Sequence, residues 1–160
     1  MAVDADELER VFERAPALVD RLAGEAPFSS PDVVLARARA LLDAMTERDK
    51  VAVLDAHPRI GADRRALSAD SLREQGTDED DPPVLTRLAE LNDGYERTFG
   101  FRFVVRVAGR RRSEIVPVLE RRLRNTREQE LATGLSEFLA IANDRLSSQG
   151  GPPPSTPAGS

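Results

Sequence analysis

The sequence predicts an all-α fold: a single-domain compact helical bundle with one extended connector and a disordered C-terminal tail. Three observations carry that expectation. Apolar residues recur at three- and four-residue spacing through most of the chain, and helix-start signals stand directly before these runs. Only Phe101-Arg-Phe-Val-Val105 alternates like a strand, and no second stretch exists to pair with it.

The elements follow in order. Asp4 to Ala15 carries Leu8, Val11 and Phe12 at helical spacing, with acids early in the run. Pro16 interrupts it, and a short helix over Ala17 to Ala23 closes at Gly24. Ser30-Pro31 supplies a cap and a first-turn proline for a helix whose stripe is Val33, Val34, Ala38, Leu41, Leu42 and Met45. Thr46 and Asp49 resemble a capping box for a helix running through Leu54 into His57. Residues 62–80 lack apolar periodicity and read as a long loop ending in acids. Asp81-Pro82 starts a helix with Leu85, Leu88, Leu91 and Tyr95 on one face, and Phe99-Gly100 stops it. Phe101 to Val105 then reads as an extended connector packed by its apolar side chains. Ser113 is expected to cap a helix to Arg124, with Pro117 near its first turn. Thr126 and Gln129 form a capping box for a last helix to about Leu146. Residues 1–147 thus read as one domain and 148–160 as a Gly/Pro/Ser-rich tail.

Composition excludes several chemistries. The 160-residue chain has no cysteine, which removes disulfides, thiol catalysis and thiolate metal sites together. Hydrophobic residues make up 40% and aromatics only 4%, so the core must be mostly aliphatic. A net charge of −5 argues against nucleic-acid binding. No signal peptide and no apolar run of membrane-spanning length is present, and the end reads Ala-Gly-Ser rather than a peroxisomal Ser-Lys-Leu, so a cytoplasmic setting is expected. Basic charge crowds between Arg102 and Arg127, as a solvated face or as a field that draws in a small anion.

Three places could carry chemistry. His57 is the only histidine, and Pro58 biases it away from helical geometry, so it sits where a helix gives way to a loop. One histidine without cysteine cannot assemble a zinc site, and no Gly-x-Ser-x-Gly elbow exposes a nucleophile. General acid–base work remains for it, against the bland alternative of a helix-end histidine held by the dipole. Ser71 and Glu74 have capping-box spacing, yet Gln75, Gly76 and acids follow instead of an apolar run. Hydroxyl, carboxylate and carboxamide could therefore converge on a polar ligand. Arg145 lies at the edge of the stripe Leu131, Leu135, Phe138, Ala142 and Leu146. It either snorkels to water or stands as a buried cation awaiting a carboxylate.

Several short motifs occur together: His57-Pro58-Arg-Ile-Gly61, Ser71-x-x-Glu74-Gln75, Leu91-Asn92 through Tyr95, and Phe99-Gly-Phe-x-Phe-Val-Val105. Glu114-Ile115, Arg122-x-x-Asn125, Glu130 and Arg145-Leu146 follow. As an ordered set covering roughly residues 5–147, they resemble the 2-oxo-4-hydroxy-4-carboxy-5-ureidoimidazoline (OHCU) decarboxylase family, which acts in urate breakdown to (S)-allantoin. The resemblance implies an all-helical bundle that needs no cofactor or metal and takes a small anionic substrate, and it is consistent with a homodimer. It places His57, Glu74 and Arg145 on catalytic positions. Pro58, Ser71, Gln75 and the backbone of Phe101, Arg102, Phe103, Val104 and Val105 fall on substrate-contact positions. Many relatives have His-Pro-Asp-Leu-Ala-Gly where this chain has Arg59, Ile60 and Gly61, and a proline where it has Arg102.

Two other functions fit the residues. One is a noncatalytic helical binding module that uses Arg110, Arg111 and Arg112 against an acidic partner. The other is hydrolysis of a related ureido or hydantoin ring, with His57 and Glu74 activating water. Which of His57 and Glu74 returns the final proton in a decarboxylation stays open at this level.

Overall fold

In the computed structural model, the residues whose structure is described are 2–12, 15–60 and 82–150, excluding the side chains of 148–150. Seven helices account for most of them: α1 (Ala5–Val11), α2 (Pro16–Ala23), α3 (Pro31–Ala44), α4 (Glu47–Asp55), α5 (Pro82–Phe99), α6 (Arg112–Arg122) and α7 (Arg127–Gly150). Among the described residues there is no strand, only one antiparallel pair between Val3 and Phe28. The expected loop of 62–80 lies outside the described residues, as does the expected tail of 148–160 apart from 148–150, which belong to α7.

Local chemistry sets most helix ends. Ser30 Oγ accepts the Val33 N–H at 3.3 Å, Thr46 Oγ1 the Asp49 N–H at 3.1 Å, and Thr126 Oγ1 the Gln129 N–H at 3.1 Å. Gln129 Oε1 accepts the Thr126 N–H in return, which completes the capping box at the start of α7. Gly100, at φ 82, ends α5 in the left-handed region that glycine enters freely.

Several boundaries differ from expectation; α4 stops at Asp55, short of His57, and α6 at Arg122, short of Arg124. α1 stops at Val11, with Phe12 bonded back to Leu8, instead of running to Ala15. α6 begins at Arg112, so Ser113 lies inside the first turn. Its entry is closed by Glu114, whose carboxylate accepts the Arg111 N–H at 3.1 Å; a carboxylate at the third helical position does the work expected of the serine. Pro117 consequently stands inside this helix, beyond its first turn. α7 runs to Gly150, one turn past Leu146.

The chain divides into two compact units, Met1–Asp43 with Leu139–Ser160, and Ala44–Phe138. In the first, α1 packs against α2. Leu8, Phe12, Leu18, Leu22, Val34 and Leu42 are buried there. In the second, α5 packs against α6, and the Arg87–Glu120 ion pair spans them at 2.7 Å.

The second unit also holds an aromatic cluster. Tyr95 lies 4.6 Å from Phe99, 6.1 Å from Phe101 and 5.2 Å from Phe103, ring centre to ring centre. These are four of the seven aromatic residues in the chain. Concentrating such large side chains gives an otherwise aliphatic protein one rigid place, and it is where the connector leaves α5.

Candidate active site

His57 follows the last turn of α4, where the Ala56 N–H bonds to Ala52 and the His57 N–H to Leu54. It is half-buried, at the helix-to-loop junction that Pro58 implies. The floor beneath it is α7. Gly134 faces Leu54 so closely that a Cβ built there would lie 3.1 Å from a Leu54 methyl carbon. One turn further along α7, Phe138 meets the imidazole edge-on, with ring centres 6.3 Å apart and planes at 78°. Residues spaced by four on a helix share a face, so Gly134 and Phe138 together seat Leu54 and His57.

The segment after His57 is fastened to α5. Asn92, buried, donates from Nδ2 to the Ile60 carbonyl at 3.3 Å. Arg59 donates from Nε to Glu96 and from Nη2 to Asp93, both at 2.8 Å, and these bonds, Glu96 foremost, raise its pKa further above an already high value. Arg102, on the connector, donates from Nη1 to the His57 carbonyl at 2.8 Å. Pro58 lies half-buried within the same segment.

The connector is extended and unpaired with any strand, so its peptide groups need other partners. Alternate residues of an extended chain present their peptide groups to the same side. One side is occupied. The Arg102 N–H donates to Asp55 Oδ1 at 2.9 Å, the Val104 carbonyl accepts from Arg122 Nη1 at 2.8 Å, and the Arg106 N–H donates to Glu137 Oε1 at 3.1 Å. The Arg106 carbonyl accepts from Arg110 Nη2. The peptide groups of Phe101, Phe103 and Val105, on the other side, have no hydrogen-bond partner among the described residues. Phe103 is only 1% exposed, so its peptide is withdrawn from water as well. Buried peptide groups are rarely left unpaired, and a row of them on the connector that Arg102 ties to the His57 carbonyl is a ready recognition edge for a planar, amide-rich ligand.

Arg145 belongs to the first unit and is 3% exposed. Its Nη1 donates to the Val11 carbonyl at 3.3 Å, and its own carbonyl accepts from Arg10 Nη2 at 2.8 Å. The snorkelling alternative therefore fails, because the side chain does not reach solvent. Ser71, Glu74 and Gln75 lie outside the described residues.

The basic cluster does not form one open face. Arg112 and Arg122 are buried, Arg110 folds back onto the Val107 and Arg106 carbonyls, and Arg127 binds Glu47 and the Phe99 carbonyl. Among the described residues no group of carboxylates and histidine has metal-holding geometry. No helix among them is long and apolar enough to cross a membrane.

The family model described as OHCU decarboxylase matches residues 3–147. The chain belongs to the OHCU decarboxylase family. It is 33% identical over 145 residues to the 2-oxo-4-hydroxy-4-carboxy-5-ureidoimidazoline decarboxylase of Halalkalicoccus jeotgali, covering 88% of this chain and 81% of that protein. It is 31% identical over 144 residues to the uric acid degradation bifunctional protein PucL of Bacillus subtilis. That match covers 88% of this chain but 29% of PucL, so the chain spans under a third of that relative. A crystal structure of OHCU decarboxylase in the presence of (S)-allantoin matches with a TM-score of 0.71 at 22% identity, over 90% of this chain and 96% of that one; this likeness is one of fold.

Sequence reasoning gave no role to a buried network in this OHCU decarboxylase family member. Glu130, 0% exposed, accepts from the Tyr95 hydroxyl at 2.5 Å, Arg122 Nε at 2.9 Å and Asn125 Nδ2 at 2.7 Å. Arg122 also lies over the Phe103 ring, 4.6 Å from its centre. Burial, and then the bond to Glu130, push the Tyr95 hydroxyl well above the ordinary phenol range. The network thus fixes the connector from behind, through Val104 and Phe103. A signal was present in the sequence: Glu130 stands four residues before Gly134 and eight before Phe138, an inward position of the stripe.

Proposed function

We propose that this chain catalyses the cofactor-independent decarboxylation of OHCU to (S)-allantoin in urate catabolism. Family membership sets the reaction class. The observation that carries the reading is the peptide edge of Phe101, Phe103 and Val105, without partners among the described residues, on a connector whose Arg102 holds the His57 carbonyl. The substrate is a flat ring with ureido and carbonyl groups, which such donors and acceptors suit.

The chemistry asks for orientation and one proton. The C–C bond to the carboxylate breaks and carbon dioxide leaves. The electron pair moves into the substrate's own conjugated C=N group, which removes the need for an external electron sink. One proton then adds to carbon from one face, giving a single enantiomer. In this reading His57 exchanges a proton with the substrate's hydroxyl or carboxylate group. Glu74 and Gln75 take ring or ureido N–H groups, with Ser71 and Pro58 lining the same ligand, and Arg145 supplies a guanidinium for an anionic oxygen. The roles of Ser71, Glu74, Gln75 and Arg145 rest on the family resemblance. A homodimer in the cytoplasm belongs to the same reading.

His57→Asn tests it. The variant should keep its helical circular dichroism and lose about 100-fold or more in turnover, the usual scale for a general acid–base group. Wild-type turnover from a folded His57→Asn protein would remove the histidine from the mechanism.

A further inference from the structure

We propose that Glu96 is a positioning residue for His57, acting through Arg59 and Arg102. This rests on the reading of His57 as the proton-transfer group. Glu96 Oε2 accepts from Arg59 Nε at 2.8 Å and lies 3.7 Å from Arg102 Nε. Arg59 stands two residues after His57, and Arg102 reaches the His57 carbonyl itself at 2.8 Å. One carboxylate on α5 therefore gathers two guanidinium groups that reach the histidine segment from different elements, one along the chain and one across space.

Arg59 and Arg102 both converge on Glu96, and the three side chains form one device. The device is not built for stability: the side chains of Arg59, Glu96 and Arg102 are 32%, 29% and 31% exposed, and ion pairs so open to water stabilise little. What they supply is direction. With His57 N–H bonded to Leu54, His57 carbonyl to Arg102 and Ile60 carbonyl to Asn92, the residue is fixed on both sides. The course of that segment sets where the imidazole stands against Phe138.

The test compares Glu96→Gln with wild type in untagged protein, and Arg102→Met serves as a second variant reaching the same contact. His57 is the only histidine, so a single imidazole signal in a proton–carbon correlation spectrum reports it alone. Both variants should shift or broaden that signal and lower kcat about 10-fold while KM changes less than about twofold, because misplacing a reacting group by an ångström or less acts on the transition state. Glu120→Gln, which opens the comparable Arg87 pair elsewhere on α5 and α6, should change neither. An unmoved imidazole signal, or unchanged kcat in folded Glu96→Gln, overturns the proposal. If His57→Asn keeps wild-type turnover, the catalytic reading fails on its own. The imidazole signal of Glu96→Gln then still decides the positioning: movement supports it and no movement overturns it.

Discussion

Replacing Glu130 with alanine should cost this protein a large part of its stability. Glu130 is 0% exposed, and its Arg122 partner is 7% exposed, so the pair is held out of water. The substitution removes the common acceptor of the Tyr95 hydroxyl, Arg122 Nε and Asn125 Nδ2. Hydrogen bonds to charged groups contribute about 1.5–3 kcal/mol each, and three of them would sum to roughly 4.5–9 kcal/mol. That sum overcounts, because the three bonds share one carboxylate and are not independent. The better guide is the cost of orphaning one member of a buried ion pair, about 3–5 kcal/mol. Arg122 keeps its bond to the Val104 carbonyl but cannot shed its charge. We therefore expect a loss of about 3–5 kcal/mol in urea unfolding followed by far-ultraviolet circular dichroism. Arg122→Met with Glu130→Leu removes both charges and should lose less than Glu130→Ala alone, since no buried ion is left behind. A loss below about 1 kcal/mol for Glu130→Ala, or a double variant less stable than the single one, would refute this reasoning.

Three further outcomes can be checked directly. Tyr95 is the only tyrosine and its folded pKa is raised, so its contribution to stability is complete below the ordinary phenol pKa of about 10 and falls away as pH rises above it. Urea midpoints should drop as pH rises above about 10, with tyrosinate absorbance appearing only as the protein unfolds, and Tyr95→Phe should lack that drop. Gly134→Ala sets a helix-propensity gain of about 1 kcal/mol against crowding of buried Leu54, which costs about 1–3 kcal/mol. A net loss in thermal stability together with slower turnover is expected, and a more stable variant would show that α4 can yield. Ala108 holds a φ of 53, so Ala108→Gly should raise the urea midpoint, relief of about 1–2 kcal/mol of backbone strain outweighing the entropy that glycine adds to the unfolded chain.

What the sequence made legible was local. Ser30-Pro31, Thr46 and the Thr126–Gln129 box start α3, α4 and α7 as their spacing implies, because a cap is decided within four residues. The unpaired connector was legible for a similar reason: strand-like alternation without a second strand leaves few structures. The histidine's place at the end of α4 followed from Pro58. Glu130 was harder, since its partners Tyr95 and Arg122 lie 35 and 8 residues away, and an acid in a first helical turn already has a dipole explanation. Arg145 stood at a stripe edge where burial and snorkelling look alike in sequence; only packing separates them. The Ser113 cap misled because Glu114, one residue on, competes for the same role. Glu96 gave no signal at all, because its meaning comes from Arg59 and Arg102, far apart in sequence and joined only by the fold.

The most direct test of the functional claim follows the handedness of the product. Urate is converted by the two upstream activities in one vessel, so that the unstable substrate forms as it is consumed, and allantoin is followed by circular dichroism with carbon dioxide release. This protein should accelerate the appearance of (S)-allantoin with matching carbon dioxide, and His57→Asn should not. Racemic allantoin at the spontaneous rate in the presence of the folded wild-type protein would contradict the account.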